Sequence, residues 1–284
     1  MRLVAQVLED ASRRLSTALG LTTREARIEA RALASHAWQT STSWLLAHDQ
    51  DILSDANNAQ FAALLARREK GEPVAYIVGK REFFGLDFLV TPAVLIPRPE
   101  TELLVQAALD RLAPNDAVRV LDLGTGSGAI AATLGRLRPL ADVLGVDASA
   151  DALNVAQTNA QVLATHNVSF APGDWYDQLC GQTFDMIIAN PPYVAANDLH
   201  LNRGDARFEP VLARASGITG LEDLEKIVSD APTHLSPPGF LLVEHGWDQG
   251  ESCRRLFLQH RFSDVATLQD LAGHERVTLG RYSG

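Results

Sequence analysis

Apolar residues in the first part of the chain recur at the three- to four-residue spacing of an α-helix. The first run of them comprises Leu3, Val7, Leu8, Leu15 and Leu19. Thr22 or Thr23, with Glu25 after it, predicts a second helix that extends to about residue 38. The stretch 54–73 predicts another helix, and no strand pattern interrupts these segments. The pattern therefore predicts a small helical domain over residues 1–72.

The pattern changes over residues 73–98, which are rich in aromatic and β-branched residues. Gly79 and Gly85 punctuate this stretch, and together these features predict a β-hairpin linker between two domains. The next segment reads RPETELLVQAALDRL and predicts a helix. Pro99 and Glu100 are suited to its first turn.

Beyond residue 118, short apolar segments alternate with helical patterns. The apolar segments read VRVLDLG, ADVLGVDA, VSFAPGD, FDMIIAN and GFLLVEHG, and the helical patterns begin near Ala129, Ala150, Gly220 and Gln249. This alternation is typical of an α/β fold with a parallel sheet and helices on both faces. We predict this fold for residues 99–284. Ligands of such sheets bind beyond the carboxyl ends of the strands, so the residues that follow each strand are the candidates for chemistry.

The composition narrows the classes of function. The 284 residues carry a formal net charge of −10, and no Lys/Arg cluster is longer than RREK. Tight phosphate binding needs several cations on one surface, so we expect no direct nucleic acid binding. No apolar run approaches the ~18 residues that span a bilayer, and the N-terminus lacks a signal-peptide pattern. We expect no membrane association, a cytoplasmic location and a monomer. Cys180 and Cys253 lie far apart, so we also expect no metal.

The first predicted strand of the sheet ends in the glycine-rich segment DLGTGSGAI. Gly124, Gly126 and Gly128 let the backbone turn tightly and approach a ligand closely. The helix that follows offers free N–H groups to a carboxylate or phosphate. A tight strand-to-helix turn would need the same glycines. Ala129 stands where a dinucleotide fingerprint has its third glycine, and some fingerprints accept alanine, so a nicotinamide enzyme stays open.

Acidic and aromatic residues follow the next two strands. Asp147 lies about 20 positions past the glycine loop, where a carboxylate can hydrogen-bond ribose hydroxyls. The alternative is a cap for the next helix, which Ser149 could provide instead. Asp174 could accept a hydrogen bond from an adenine amino group, and Trp175 could flank a flat ring. A turn with a half-buried tryptophan is the alternative for this pair.

The fourth strand ends in Asn190, Pro191, Pro192 and Tyr193, the segment with the most specific chemistry. Each proline fixes its own φ and pushes the preceding residue toward extended geometry, so this corner is stiff. The Asn190 side-chain oxygen and the Pro191 carbonyl are two acceptors on a rigid frame, and the Tyr193 ring can stack on a flat π-system. Such a corner can hold a planar NH2 group and expose the nitrogen lone pair through positioning and electrostatics. A proline-stiffened turn without function is the alternative.

The segments LDLGTGSG, GVDAS, GDWY and NPPY, in this order and spacing, resemble the S-adenosylmethionine-dependent methyltransferases that modify planar NH2 nitrogens. The segments GEPVAYIVGKREFFGLDFLV, LIPRPETE, HLNRGDARFEP, SGITGLEDLEKI and LLVEHGWDQG are similar to the HemK-type protein-glutamine methyltransferases of peptide chain release factors. The resemblance extends from about residue 70 to residue 280. It implies a Rossmann-like S-adenosylmethionine-dependent methyltransferase sheet with a small N-terminal helical domain.

The resemblance also implies the reaction. A methyl group moves from S-adenosylmethionine, which becomes S-adenosylhomocysteine, to the side-chain amide nitrogen of the glutamine in the Gly-Gly-Gln loop of class-one release factors. Carried over by position, the cofactor would be bound by Gly124, Thr125, Gly126, Ser127, Gly128, Asp147, Asp174, Trp175 and Asn190. The glutamine amide would be bound by Asn190, Pro191, Pro192 and Tyr193, and of these Asn190, Pro191 and Tyr193 are the catalytic candidates. The N-terminal helices would help to dock the release factor.

Three charged residues in family-like stretches, Arg98, Glu100 and Glu244, are candidates for the mouth of the pocket. Their structural alternatives are an ion pair between Arg98 and Glu100, and a strand-end position for Glu244. His245 is predicted to pack or to cap, and no role is predicted for residues 211–220.

Three rival functions stay open at this stage. They are an adenine amino-group methyltransferase acting on DNA or RNA, a non-catalytic cofactor-binding adaptor, and a nicotinamide dehydrogenase. The acidic net charge disfavours the first, because an enzyme that flips bases needs a cationic groove. The intact corner at Asn190–Tyr193 disfavours the other two, since neither has a use for an amide clamp.

Overall fold

A computed structural model of the chain describes residues 2–198, 201 and 204–284, which form two compact units. One unit holds residues 2–80 and 204–208, and the other holds residues 81–198, 201 and 209–284. The first unit is built on helices, and the second contains the large sheet. The domain bounds given above, 1–72, 73–98 and 99–284, stay predictions.

Three helices of the first unit begin at a residue whose side chain caps them. The helices are α1 Val4–Leu19, α2 Thr23–Trp38, α3 Thr42–Ala47, α4 Asp55–Glu69 and α5 Val74–Val78. Thr22 and Glu25 form a capping box at α2, in which the Glu25 carboxylate accepts the Thr22 N–H at 2.8 Å. Ser41 and Ser54 cap α3 and α4 through their hydroxyls. The short helix α3 is not foreseen by the sequence pattern, because six residues are too few to show a period.

A buried cation holds the short segment 204–208 within this first unit. Arg68 in α4 is only 2% exposed. Its guanidinium donates to the Glu29 carboxylate of α2 and to Asp205, each at 2.7 Å. A buried charge is tolerated only when it is paired in this way. The pairing therefore fixes α2, α4 and the segment around Asp205 to one another.

The hairpin is confirmed, but it is shorter than the stretch that predicts it. Its strands are β1 Lys80–Phe83 and β2 Leu86–Leu89. Phe84 and Gly85 both have positive φ, which is the backbone of the two-residue turn that matches the twist of paired strands. Residues 74–78 form one helical turn after Pro73 instead of a strand.

The second unit is built on a seven-stranded sheet with the order β5-β4-β3-β6-β7-β9-β8. Its strands are β3 Arg119–Leu123, β4 Asp142–Asp147, β5 Val168–Pro172, β6 Phe184–Ala189, β7 Leu235–Glu244, β8 Ser263–Gln269 and β9 Glu275–Tyr282. Strands β3 to β7 pair in parallel, as predicted. The sheet is mixed where the sequence pattern predicts parallel strands, because β9 pairs antiparallel to both β7 and β8.

Alternate residues of the central strands are buried on opposite faces of the sheet. Val120 and Val143 belong to one core with α6 and α7, whereas Leu121 and Leu123 belong to another with α9 and α10. The helices are α6 Glu102–Leu109, α7 Ala129–Leu137, α8 Ala150–Val162, α9 Glu222–His234 and α10 Gly250–Gln259. Burial on both faces explains why these strands read as continuous apolar runs.

The order of the strands reverses between β3 and β6. From β3 the chain moves outward to β4 and β5, and β6 then pairs on the other side of β3. Ligands of open α/β sheets bind at such a point, outside the carboxyl ends of the strands. Leu123 lies opposite Ala189 in the register, so the glycine loop and Asn190 emerge side by side at this point.

Candidate active site

The glycine loop between β3 and α7 has a backbone that favours glycine. Gly124, Gly126 and Gly128 all have positive φ, between 55° and 77°, a conformation that other residues rarely adopt. A Cβ on Gly128 would lie 3.0 Å from the Cβ of Ala156, so the loop also packs tightly on α8. The loop can therefore present its backbone to a ligand at close range.

Thr125 and Ser127 are buried residues of this loop, and neither lines the cavity that the loop borders. The Thr125 hydroxyl donates to Asp122 Oδ2 at 2.6 Å, and the Ser127 carbonyl accepts from the Asn159 side chain at 2.8 Å. These contacts shape the loop. Asp122 is not among the residues predicted from the sequence, although an acid two positions before the first glycine is a visible signal. Burial raises the pKa of Asp122 to about 7.

Asp147 joins the end of β4 to the glycine loop. Its Oδ2 accepts the backbone N–H of Gly126 at 2.8 Å, and its Oδ1 accepts the N–H of Ser149 at 2.9 Å. Ser149 is the residue that caps α8, because its hydroxyl accepts the Ala152 N–H. Burial raises the pKa of Asp147. Asp147 therefore borders the cavity while Ser149 caps the helix.

Asp174 and Trp175 follow β5 and form a second wall. The Trp175 indole N–H donates to Asp223 Oδ1 in α9 at 3.1 Å. Its ring lies over the glycine loop, since a Cβ on Gly124 would be 3.3 Å from it. Asp174 is more exposed and pairs with Lys226 at 3.4 Å. Asp223 was missed from sequence because it stands 48 residues beyond the tryptophan that it holds.

Asn190 follows β6 and turns one end of its side chain to Thr101. The Asn190 Nδ2 donates to the Thr101 hydroxyl at 3.0 Å, so the oxygen of the same amide points away from Thr101. Asn190 and Pro192 line the cavity, whereas Pro191 is buried and Tyr193 does not line the cavity. Burial raises the pKa of Tyr193 well above its usual value, and the charge of Glu244 adds to this effect. The phenol therefore keeps its proton.

The segment 211–220, which suggested no role from sequence, braces the proline corner. The Val194 N–H donates to the Arg214 carbonyl at 3.1 Å, and the Ser216 N–H donates to the Val194 carbonyl at 2.9 Å. Gln249 adds a contact from the other side, because its Nε2 donates to the Tyr193 carbonyl at 3.1 Å. The corner is therefore stiffened by backbone bonds as well as by its prolines.

These elements enclose a cavity of about 360 Å³ at the switch point. The predicted site residues that line it are Gly124, Gly126, Asp147, Asp174, Trp175, Asn190 and Pro192. Its remaining walls include Val94, Leu95, Pro210, Leu212 and Ala213, which were not predicted. The structure thus brings the ends of four strands, β3 to β6, to one cavity. Thr125, Ser127, Gly128, Pro191 and Tyr193 are not among its lining residues.

Arg98 pairs with Glu209 instead of Glu100. The Arg98 guanidinium donates to Glu209 Oε2, and the Glu209 Oε1 accepts the Ile96 N–H at 3.3 Å. The alternative of an Arg98–Glu100 ion pair is wrong, because the buried Glu209 attracts the cation while Glu100 stays exposed in water. His245 is buried and packs as predicted, with its ring nitrogens near the Gly246 carbonyl and the Thr278 hydroxyl.

The described residues contain neither a metal-ligand cluster nor a membrane-spanning helix. Among residues 2–198, 201 and 204–284, no three His, Cys, Asp or Glu side chains cluster in a way that could hold a metal ion. No helix in the same residues is long and apolar enough to cross a membrane.

Comparison with known proteins decides the family. Residues 6–79 match the PrmC N-terminal domain, and residues 99–209 match the methyltransferase small domain. The chain is 48% identical over 263 residues to the release factor glutamine methyltransferase of Xylella fastidiosa strain Temecula1, covering 93% of this chain and 96% of that protein. The chain belongs to the release factor glutamine methyltransferase family. The enzyme of Escherichia coli K12 is 46% identical over 256 residues, or 90% of this chain and 92% of that protein.

Membership of the release factor glutamine methyltransferase family confirms the resemblance seen in the sequence. Solved structures confirm the Rossmann-like methyltransferase fold. A methyltransferase from Pyrococcus furiosus has a TM-score of 0.55 at 18% identity, covering 78% of this chain and 99% of that chain. A 16S rRNA methyltransferase from T. thermophilus has a TM-score of 0.54 at 21% identity, covering 71% of this chain and 49% of that chain.

Proposed function

We propose that the chain methylates the side-chain amide nitrogen of the glutamine in the Gly-Gly-Gln motif of class-one peptide chain release factors, with S-adenosylmethionine as the methyl donor. The named activity of its relatives supports the substrate class. The observation that carries the proposal is the orientation of Asn190. Its donor end faces Thr101, so its acceptor end is available to a partner at the cavity that the glycine loop borders.

The cavity suits S-adenosylmethionine, which supplies an electrophilic methyl group when bound. The glycine loop lets its backbone come close to a ligand, and Asp147 presents a carboxylate suited to ribose hydroxyls. Trp175 offers a flat wall for an adenine ring, and Asp174 offers an acceptor for its amino group. Thr125 and Ser127 support cofactor binding indirectly, because their contacts fix the shape of the loop. Asn190 lies between the cofactor and the substrate glutamine.

The proline corner promotes methyl transfer by holding the side-chain amide of the substrate glutamine. An amide nitrogen is a poor nucleophile because its lone pair is delocalised into the carbonyl group. Asn190 Oδ1 and the Pro191 carbonyl accept its two N–H hydrogens, which favours a pyramidal nitrogen and exposes the lone pair. Pro191 and Pro192 fix the backbone of this clamp, and the Tyr193 ring stacks on the amide plane. The proton leaves after transfer, so the clamp needs no general base.

The N-terminal helical unit contains a second cavity, of about 540 Å³. Its lining is charged and includes Arg13, Arg27 and Arg31 together with Glu9 and Asp49. We infer that this unit contributes to binding the release factor. The monomeric state, the cytoplasmic location and the lack of direct nucleic acid binding stay predictions.

Labelled-methyl transfer from S-adenosylmethionine tests the proposed function. Purified release factor, its variant with alanine in place of the loop glutamine, and plain DNA are offered side by side. We expect label on the wild-type factor only, and peptide mass spectrometry then places the methyl group on the loop glutamine. Label on DNA would favour the adenine methyltransferase instead. Label on no substrate would contradict the proposed function.

A further inference from the structure

One buried acid beside the proline corner has no role in the proposed function. Glu244, the last residue of β7, is 1% exposed. Its Oε2 has no hydrogen-bond partner within the described part of the chain. Taking a carboxyl group out of water is unfavourable unless other groups satisfy it. The presence of such a group next to the candidate amide clamp therefore calls for an explanation.

The sheet places Glu244 next to Asn190. Ala189 and Val243 lie opposite each other where β6 and β7 pair in parallel. Asn190 and Glu244 are the next residues on these two strands, whose backbones lie about 4.8 Å apart. Neither position depends on a flexible loop, because both residues directly follow paired strand residues.

Thr101 connects the two side chains. It is 5% exposed and stands just before α6. Its hydroxyl accepts the Asn190 Nδ2 hydrogen at 3.0 Å. The Thr101 hydroxyl also lowers the pKa of the Glu244 carboxyl, so it lies near that carboxyl as well. The three residues therefore lie close enough together for a relay from Glu244 through Thr101 to Asn190.

The chemistry of these groups fixes the direction of the relay. An ionised carboxylate only accepts hydrogen bonds, whereas a hydroxyl has one hydrogen to donate and lone pairs that accept. When Thr101 donates its hydrogen to Glu244, only its lone pairs remain for Asn190. The NH2 end of the asparagine amide is the end that can meet them, and the amide oxygen then points the opposite way.

We propose that Glu244 and Thr101 are positioning residues that set which end of the Asn190 amide faces the substrate. This inference rests on the proposed function. If Asn190 were reversed, its NH2 group would face the NH2 group of the glutamine amide, and two donors cannot hydrogen-bond. The clamp would then fail while the cofactor site stayed intact.

The surroundings of Glu244 agree with an acceptor role near neutral pH. Burial raises the pKa of Glu244 to about 7, whereas Thr101, Arg276 and Arg98 lower it and Glu100 raises it further. The carboxylate form is therefore accessible around neutral pH despite complete burial. The nearby Tyr193 keeps its proton and does not compete as a base.

Isosteric substitutions test the relay. Thr101→Val removes the hydroxyl and keeps the shape, whereas Thr101→Ser keeps the hydroxyl. Thr133→Val is the matched control, because Thr133 is also fully buried and its hydroxyl has no partner in the described residues. Single-turnover transfer to the release factor and calorimetric affinity for S-adenosylmethionine are measured for each variant.

We expect Thr101→Val to slow transfer by up to about 100-fold, since loss of orientation at a reacting group has effects of this size. Its affinity for S-adenosylmethionine should match the wild type. Thr101→Ser and Thr133→Val should transfer at nearly the wild-type rate. The transfer rate of Glu244→Gln should lie between those of Thr101→Val and the wild type, because glutamine can present either end of its amide to Thr101. Wild-type transfer by Thr101→Val would overturn the proposal.

A second readout does not depend on activity. The side-chain NH2 of Asn190 gives nitrogen–proton NMR signals that can be assigned by their loss in Asn190→Asp. Thr101→Val should shift these signals and speed their exchange with water, and Thr133→Val should not. Unchanged Asn190 signals in Thr101→Val would also overturn the relay. Failure of the wild-type chain to methylate any release factor would count against the proposed function, and the NMR comparison would still decide the relay.

Discussion

The Asp147 carboxylate accepts the backbone N–H of Gly126 at 2.8 Å. This bond ties the end of β4 to the glycine loop that leaves β3, and the two strands are neighbours in the sheet. One side chain therefore both shapes the loop and presents a carboxylate to the cavity. Asp147 therefore contributes both to the fold and to the proposed binding site of the cofactor.

Asp147→Ala should weaken binding of S-adenosylmethionine by about 10- to 100-fold, because hydrogen bonds to a charged group contribute roughly 1.5–3 kcal/mol. Isothermal titration calorimetry measures the affinity. Asp142→Ala is the control, since Asp142 stands at the other end of β4, is exposed, and contacts Arg119. Equal affinities for the two variants would show that Asp147 does not act on the cofactor.

Trp175 and Asp223 should act as one unit. Trp175→Ala removes the flat wall of the cavity, so we expect a clear loss of affinity for S-adenosylmethionine. Asp223→Ala releases the indole N–H and should cause a smaller loss. In the double variant Asp223→Ala should add little, because its partner is already absent. Additive losses in this double-mutant cycle would mean that Asp223 acts independently of the tryptophan.

Gly220→Ala should disturb the proline corner from outside it. A Cβ at this position would lie 2.6 Å from the Tyr193 carbonyl oxygen, and the glycine has a φ of +79°. We expect a lower melting temperature and slower methyl transfer. Gly181→Ala separates the two causes, since Gly181 has a similar φ of +72° and a Cβ added there would meet no described atom within 4 Å. Equal effects of the two variants would mean that backbone strain alone causes the loss, and that the contact with the Tyr193 carbonyl has no effect.

Much of this fold follows from the sequence because its signals are local. Buried parallel strands read as apolar runs, and polar caps mark the helix starts, as at Thr22 and Ser149. Parallel strands end at one edge of a sheet, so residues after each strand meet there. This rule correctly placed Asp147, Trp175 and Asn190 around a single cavity.

The rest depends on contacts between distant parts of the chain. Thr101 and Asn190 are 89 residues apart, and Arg98 and Glu209 are 111 apart. Such pairs are set by strand order and by which acid is buried, and neither is visible in a local pattern. Strands β8 and β9 follow the last helix with no helix between them, and they pair antiparallel. The strand–helix alternation that predicts parallel pairing therefore does not extend to them.

Two buried acids should make stability depend on pH. Burial raises the pKa of Asp122 and of Glu244 to about 7, whereas such groups titrate near about 4 in an unfolded chain. The folded protein then binds more protons than the unfolded chain between these values. These two groups therefore lower the free energy of unfolding as pH rises from about 4 to about 7.

Urea unfolding of the wild type and of Asp122→Asn, at several pH values between 4 and 8, measures this effect. Other carboxylates act in the opposite direction, such as Glu222, whose pKa is lowered to about 2 chiefly by the Thr219 backbone N–H. The prediction therefore concerns the difference between the two proteins. The wild type should lose more stability than the variant as pH rises. Parallel curves would mean that Asp122 does not titrate in this range.

The most direct test of the amide clamp separates cofactor binding from transfer in Asn190→Ala. Calorimetry gives its affinity for S-adenosylmethionine, and a single-turnover assay with release factor gives its rate of methyl transfer. Because the clamp acts on the glutamine nitrogen, we predict that the variant still binds the cofactor but loses most of its transfer. Undiminished transfer by Asn190→Ala would contradict the clamp.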